Sequence, residues 1–203
     1  MNKGLLVIIS GPSGAGKGTI CKRLMEISDD LELSVSATTR MPRTGEIEGK
    51  NYYFISEGEF SKRIENSEFL EYANVYDNYY GTPKTKVLDK LREGKTVILE
   101  IDIQGALKVK NTHPDGVFIF IVPPSIRELQ SRIINRATDT MEVIERRMQC
   151  TKEELDYAPE YDYVVVNDNL ESAVSKVRSI IDVEKMKSHR NIDLIQEIKE
   201  ERA

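Results

Sequence analysis

Residues 5–19 read Leu5-Leu-Val-Ile-Ile-Ser-Gly-Pro-Ser-Gly-Ala-Gly-Lys-Gly-Thr19. The apolar run 5–9 is rich in β-branched residues and predicts a buried strand. It stops at Gly11. Pro12, Ser13, Gly14, Ala15 and Gly16 then form a glycine-rich turn that delivers Lys17, Gly18 and Thr19 to a helix with apolar positions at Ile20, Leu24 and Ile27. Strand, glycine-rich loop and helix in that order form a phosphate-binding unit. Glycines let backbone N–H groups converge on phosphate oxygens with no Cβ in the way, and the helix N-terminus adds partial positive charge. Lys17 supplies a mobile full charge between β- and γ-phosphates. The expected ligand is a nucleoside triphosphate.

The loop departs from its usual form at one position. A hydroxyl for Mg2+ normally follows the lysine directly; here Gly18 stands there and the hydroxyl comes one residue later, at Thr19. This G-K-G-T form resembles the loop of adenylate kinases and related small-molecule kinases. Mg2+ gives up its waters reluctantly, so the metal is expected on phosphates and water.

Composition narrows the rest. At 203 residues the chain suits one domain with insertions and a sizeable core. No window approaches the ~20 apolar residues of a membrane span, and the apolar N-terminus runs into the phosphate loop without a cleavage site, so a core strand is expected in place of a signal peptide. Cys21 and Cys150 are isolated thiols without metal spacing, which suits a reducing compartment and hence the cytoplasm. A net charge of −5 argues against a nucleic-acid groove. Monomer and homo-oligomer stay open.

Helix and strand signals alternate, so the expected fold is α/β: a P-loop NTPase-type, mostly parallel sheet flanked by helices. Core strands are expected at 5–9, 96–101, 117–122 and 163–166, with a short one at 31–35. Ser125 with Glu128 forms a capping-box pattern after Pro123-Pro124 and opens a helix carrying Leu129 and Ile133. Ile144, Met148, Thr151 and Leu155 recur at helical spacing, as do Leu170, Ala173, Val174, Val177 and Ile181. From Lys185 onward the charged tail suggests a solvated terminal helix. Residues 36–84 break the rhythm, with six of the nine tyrosines, several turns and one helix capped by Ser56. They are expected to form a small β-rich insertion, and 126–154 a helical, arginine-bearing lid; the core would be 1–35, 85–125 and 155–203.

Four clusters carry candidate chemistry. Arg40 and Arg43 bracket Pro42 before the Gly45 turn; paired guanidinium forks suit a phosphate monoester, although partnership with Glu46 and Glu48 explains them equally. Glu71 ends the run Glu68-Phe-Leu-Glu71 and either faces the interior or is an ordinary exposed glutamate. Glu100 and Asp102 close an apolar strand, where ligands sit in open α/β sheets; they would hold Mg2+, directly or through water, or accept from a substrate, while Asp102 alternatively caps the next helix. Arg132, Arg136, Arg146 and Arg147 either close over a transferring phosphoryl group or decorate a helix surface.

In this order the clusters resemble the guanylate kinase family over essentially the whole chain. The carriers are Gly11-Pro-Ser-Gly-Ala-Gly-Lys, Ser34-Val-Ser-Ala-Thr-Thr-Arg-Met-Pro-Arg, Gly49-Lys-Asn-Tyr-Tyr-Phe, Glu68-Phe-Leu-Glu, Asn78-Tyr-Tyr-Gly-Thr, Glu100-Ile-Asp-Ile-Gln-Gly, Pro123-Pro-Ser and Val166-Asn-Asp. The resemblance implies phosphoryl transfer from ATP to GMP or dGMP with Mg2+. It would set Ser36, Glu71, Thr82 and Asp102 around guanine. Arg40, Arg43, Tyr52 and Tyr80 would hold the GMP phosphate; Lys17 and the loop would hold ATP phosphates. Arg132, Arg136 and Arg147 would be the closing arginines, with Asn167 near adenine and Thr19, Glu100 and Asp102 as metal candidates. The insertion would bind GMP. The family often shows Asp where Glu100 stands, and a serine where Gly18 stands.

Base chemistry points the same way. Guanine presents N1–H and a 2-amino group as donors beside an O6 acceptor. Carboxylates such as Glu71 and Asp102 accept from the donors, and hydroxyls such as Ser36 and Thr82 donate to O6. Adenine would turn a bare N1 acceptor toward a carboxylate, leaving buried polar groups unpaired. Two rival readings are a kinase for another monophosphate, AMP included, and a guanylate-kinase-like protein-binding module without catalysis; the retained Lys17 and arginines favour the enzyme.

Overall fold

The structure, a computed structural model, describes residues 4–75, 77–135 and 151–200. The strand β1 (Leu6–Ser10) is buried at every residue and lies at the centre of a five-stranded, all-parallel sheet in the order β2-β7-β1-β8-β9. Its neighbours are β7 (Thr96–Glu100) and β8 (Val117–Val122), with β2 (Leu31–Leu33) and β9 (Tyr163–Val166) at the edges. A strand buried on both faces needs apolar residues throughout, which is why this run was legible. Side chains alternate between two core layers. Val7 and Ile9 pack with Ile20, Leu24, Val174 and Val177 on one face, from α1 (Lys17–Ile27) and α6 (Leu170–Lys185). Leu6 and Ile8 pack on the other with Val87, Ala106 and Val109, from α3 (Lys84–Arg92) and α4 (Ile103–Thr112).

A second, mixed sheet runs β4-β3-β6-β5, built from β3 (Ala37–Thr38), β4 (Tyr53–Phe54), β5 (Phe69–Val75) and β6 (Asn78–Pro83). Its own core is small: Ala37, Phe60 and Phe69, with the Phe60 and Phe69 rings stacked at 4.4 Å. Phe60 comes from α2 (Glu57–Glu65), whose N-terminus is capped as expected, the Glu59 N–H donating to Ser56 Oγ. Leu70 crosses into the core under the large sheet and ties the two sheets together.

The register of β5 against β6 shifts between Phe69 and Glu71, a bulge that leaves Phe69, Leu70 and Glu71 all buried. Bulges re-aim side chains, and this one turns Glu71 inward opposite Thr82. The helix α5 (Ile126–Asn135) starts at Ser125, whose Oγ accepts from the Glu128 N–H, but Glu128 pairs with Arg132 and does not complete a capping box. Residues 151–155 are helical; Arg136, Arg146, Arg147 and Cys150, with Ile144 and Met148, lie outside the described residues. The tail carries α7 (Ile192–Glu200), in which no residue is buried. No helix among the described residues is long and apolar enough to cross a membrane.

Candidate active site

The phosphate loop leaves β1 through Gly11, at φ +137, with a missing Cβ that would collide with the Ile121 backbone of β8. Gly16, at φ 93, caps α1 from the left-handed region, and no side chain caps that helix. Its first N–H groups therefore face an anion site with no acid in the first turn to fill it. Lys17 folds back over the loop, its Nζ donating to the carbonyls of Gly11 at 2.6 Å and Pro12 at 3.0 Å. Burial lowers the pKa of its ammonium, against the pull of Glu100, Glu154 and Asp102.

Beside the loop lies a cavity of about 250 Å³, far larger than the ~30 Å³ share of one water. Gly11, Ser13 and Lys17 line it from the loop; Ser36, Arg43, Tyr52, Glu71 and Tyr80 from the second sheet and its connections; Glu100 and Asp102 from the end of β7. This is the carboxyl edge of a parallel sheet, where such folds bind ligands.

Two carboxylates dominate its inner wall. Glu71 is 6 % exposed. Burial pushes its pKa up to about 7, assisted by Asp102 and opposed by the Thr82 hydroxyl and Lys108. Thr82 Oγ1 donates to Glu71 Oε1 at 2.6 Å. Thr82, which the sequence reading sets beside guanine, is fully buried and orients the Glu71 carboxylate through this hydroxyl. Asp102 does cap α4, accepting from the Gly105 N–H at 2.8 Å, and it lines the cavity as well. Burial raises its pKa too, against Gly105, Lys17 and Lys108.

The arginine pair divides. Arg40 is half-buried and grips Glu46 through one nitrogen at 2.8 and 3.0 Å, while its guanidinium lies 5.5 Å from the Tyr52 ring centre. Arg43 meets Glu46 through its backbone, its N–H donating to Glu46 Oε2 and its carbonyl accepting from the Glu46 N–H, and it lines the cavity. Tyr52 and Tyr80 meet edge to face at 5.9 Å, and burial pushes the Tyr52 phenol up to about 12.

A second, more open cavity lies on the far side of the loop, lined by Gly14, Gly16, Thr19, Arg132, Asn167 and Asp168. Asn167 donates through Nδ2 to the Ala15 carbonyl at 2.8 Å and accepts, through its own backbone carbonyl, from Arg132 at 3.0 Å. The three metal candidates do not share one cavity: Glu100 and Asp102 line the first, Thr19 the second.

Three residues have places at the site that the sequence reading did not assign. Glu154 lines the first cavity, accepts from the Ser13 backbone N–H and faces Lys17; in sequence it is one member of the charge run Lys152-Glu-Glu154. Lys108 reaches the Tyr72 carbonyl at 2.5 Å and places its charge near both inner carboxylates. Gly105 sits where those carboxylates meet. Only tertiary approach marks Glu154 and Lys108, whereas Gly105 closes the Glu100-Ile-Asp-Ile-Gln-Gly motif without its place between the carboxylates being legible there.

The sequence model of the guanylate kinase family matches residues 3–184. The chain is 59 % identical to the guanylate kinase of Caldanaerobacter subterraneus subsp. tengcongensis over 98 % of its own length and 97 % of that protein. It is 50 % identical to that of Clostridioides difficile, with 99 % and 98 % covered. The crystal structure of guanylate kinase from Anaplasma phagocytophilum superposes with a TM-score of 0.80 at 34 % identity, covering 94 % of this chain and 90 % of that one. Loop, carboxylates and tyrosines therefore stand on a shared scaffold, and this chain belongs to the guanylate kinase family.

Proposed function

We propose that this protein transfers the γ-phosphoryl group of ATP to GMP, and to dGMP, giving ADP and GDP. The observation that carries this reading is the pair of carboxylates, buried Glu71 and half-buried Asp102, on the wall of a cavity that also holds Lys17. Two adjacent acceptors match the N1–H and 2-amino donors of guanine, and adenine offers neither donor at N1 nor a 2-amino group. Ser36 supplies a hydroxyl on the same wall, and we assign it to O6.

The monophosphate then points toward Tyr52, Tyr80 and Arg43, with Arg40 recruited from Glu46. A GMP phosphate oxygen is already a competent nucleophile, so no serine, cysteine or histidine nucleophile is required. The protein's work is to hold donor and acceptor in line and to neutralise charge on the transferring group. Lys17 leaves the Gly11 and Pro12 carbonyls for the phosphates. Arg132, with Arg136 and Arg147, supplies the closing charges that exclude water and suppress ATP hydrolysis. ATP takes the loop and the second cavity, with Asn167 beside the base.

Glu100, whose carboxylate oxygens are the hard donors Mg2+ takes, would hold the ion, directly or through water, in the cavity that Lys17 lines. When bound it supplies further charge neutralisation between the phosphates. The isolated thiols suit the cytoplasm.

A coupled ADP-release assay with ATP, Mg2+ and separate GMP, dGMP, AMP, CMP and UMP tests the proposal. Turnover with GMP and dGMP alone is expected. Turnover with AMP would overturn the roles of Glu71 and Asp102, and binding of GMP without turnover would leave only a binding module.

A further inference from the structure

Gly105 occupies the first turn of α4 and is buried. Its backbone does not need glycine, for it is absent from the glycines with positive φ. In an ordinary helical conformation glycine is the poorer choice, because it loses more backbone entropy than alanine. The gain must therefore lie in what its missing side chain leaves open. A Cβ at 105 would stand 3.0 Å from Glu71 Cδ, closer still to Glu71 Oε2, and 2.9 Å from Asp102 Oδ1. Neither carboxylate is free to step aside. Glu71 Oε1 is held by Thr82, and Asp102 Oδ1 is held by the N–H of Gly105 itself.

We infer that Gly105 is the positioning residue that sets the spacing of Glu71 and Asp102, and thereby the enzyme's affinity for the guanine ring. Its N–H orients one carboxylate, and its bare Cα makes room for the other. A methyl group there pushes Glu71 Oε2 outward and breaks the match to two adjacent donors, while the loop, Lys17 and the second cavity are untouched. The inference rests on the proposed reading of the cavity as the GMP site.

The test is a double-variant cycle over wild type, Gly105→Ala, Glu71→Ala and the combined variant. Steady-state kinetics are read for GMP and ATP separately, and each protein is melted. Gly105→Ala should raise KM for GMP about tenfold or more, with kcat and KM for ATP within about twofold of wild type. In the Glu71→Ala background the same substitution should add far less to KM for GMP, because Glu71 Oε2 and Cδ are gone and only Asp102 Oδ1 still meets the methyl. Melting reads the same cycle if the single variant folds poorly: the methyl should lower Tm more with Glu71 present than with it absent. An unchanged KM for GMP in a folded Gly105→Ala protein overturns the inference, as does an equal effect in both backgrounds. A wild type that phosphorylates AMP in place of GMP would instead overturn the proposed function, and the cycle would then be scored with AMP.

Discussion

The two cavities flanking the phosphate loop are built from opposite materials. The first is walled by ionisable side chains wholly or partly taken out of water, Glu71, Asp102, Lys17 and the Tyr52 phenol, with the exposed Glu100 beside them. The second is walled by glycines, Thr19, Asn167 and Leu170, with Arg132 and the solvent-exposed Asp168, and it opens wider to solvent. Buried charge is expensive to install and discriminates strongly, because a ligand that fails to complement it leaves it unpaired. Backbone N–H groups and amides hold a phosphate or a ring edge at little cost in stability and discriminate weakly. On the proposed function this division follows need. The acceptor must be told from other monophosphates, whereas the donor is recognised by its phosphates.

Lys17 enters the first cavity from the loop that separates the two, and on the proposed function it meets the transferred phosphoryl group, so its loss should be the largest single effect. Lys17→Ala should lower kcat by about 10²–10³-fold or more, with a melting curve close to wild type, since the side chain donates only to two loop carbonyls. Retained turnover in the ADP-release assay would remove Lys17 from the chemistry.

Glu71→Gln tests the first cavity alone. Oε1 survives to accept from Thr82, but the NH2 now faces the guanine donors. KM for GMP should rise about 10–100-fold, as expected for a mispaired buried group, and rejection of AMP should relax because the amide donates to adenine N1. KM for ATP should not move. An unchanged GMP-to-AMP ratio would end the assignment of Glu71 to the base.

The buried charge also predicts a pH signature. Glu71 titrates near 7 in the fold, against 4.5 for an ordinary glutamate, because burial disfavours its ionised form. The folded chain therefore binds this proton more tightly than the unfolded chain. That contribution to stability is present below the ordinary value and is lost as pH rises through about 7. Glu71→Gln carries no such charge, so its Tm should exceed wild type by a few degrees at about pH 8, for an effect on the order of 1 kcal/mol, and the gap should close toward about pH 5. GMP affinity runs the other way: it should strengthen in wild type as pH rises through the same range and stay flat in the variant. A pH-independent Tm gap would mean that Glu71 is not held against its charge.

How much of this was written locally follows the same division. The central strands were legible as continuous apolar runs, and the phosphate loop as glycines, lysine and a helix start. The caps at Ser56 and Ser125 were legible, yet Glu59 and Glu128 each pair with an arginine four residues on. The two-residue strands β3 and β4 were not, being too short to show a period. Glu71 could be suspected, but the bulge that turns it inward depends on pairing with β6. Thr82 had the right chemistry, but its hydrogen bond to Glu71 depends on cross-strand pairing that the local sequence does not display. Glu154, Lys108 and Gly105 matter through what packs against them.

The smallest effect is expected in the second cavity. Asn167 is 6 % exposed, and its Nδ2 clasps the Ala15 carbonyl, joining the end of β9 to the phosphate loop. Its contact with Arg132 runs through the backbone carbonyl, so Asn167→Ala removes the clasp and leaves that contact in place. One neutral hydrogen bond contributes about 0.5–1.5 kcal/mol, so KM for ATP should rise only about two- to tenfold. KM for GMP should stay at the wild-type value, and the change should be the same at every pH, since no ionisable group is involved. Equal losses for both substrates would show that Asn167 shapes the loop for the whole reaction, and the contrast between a charge-built and an amide-built cavity would then fail at its weaker side.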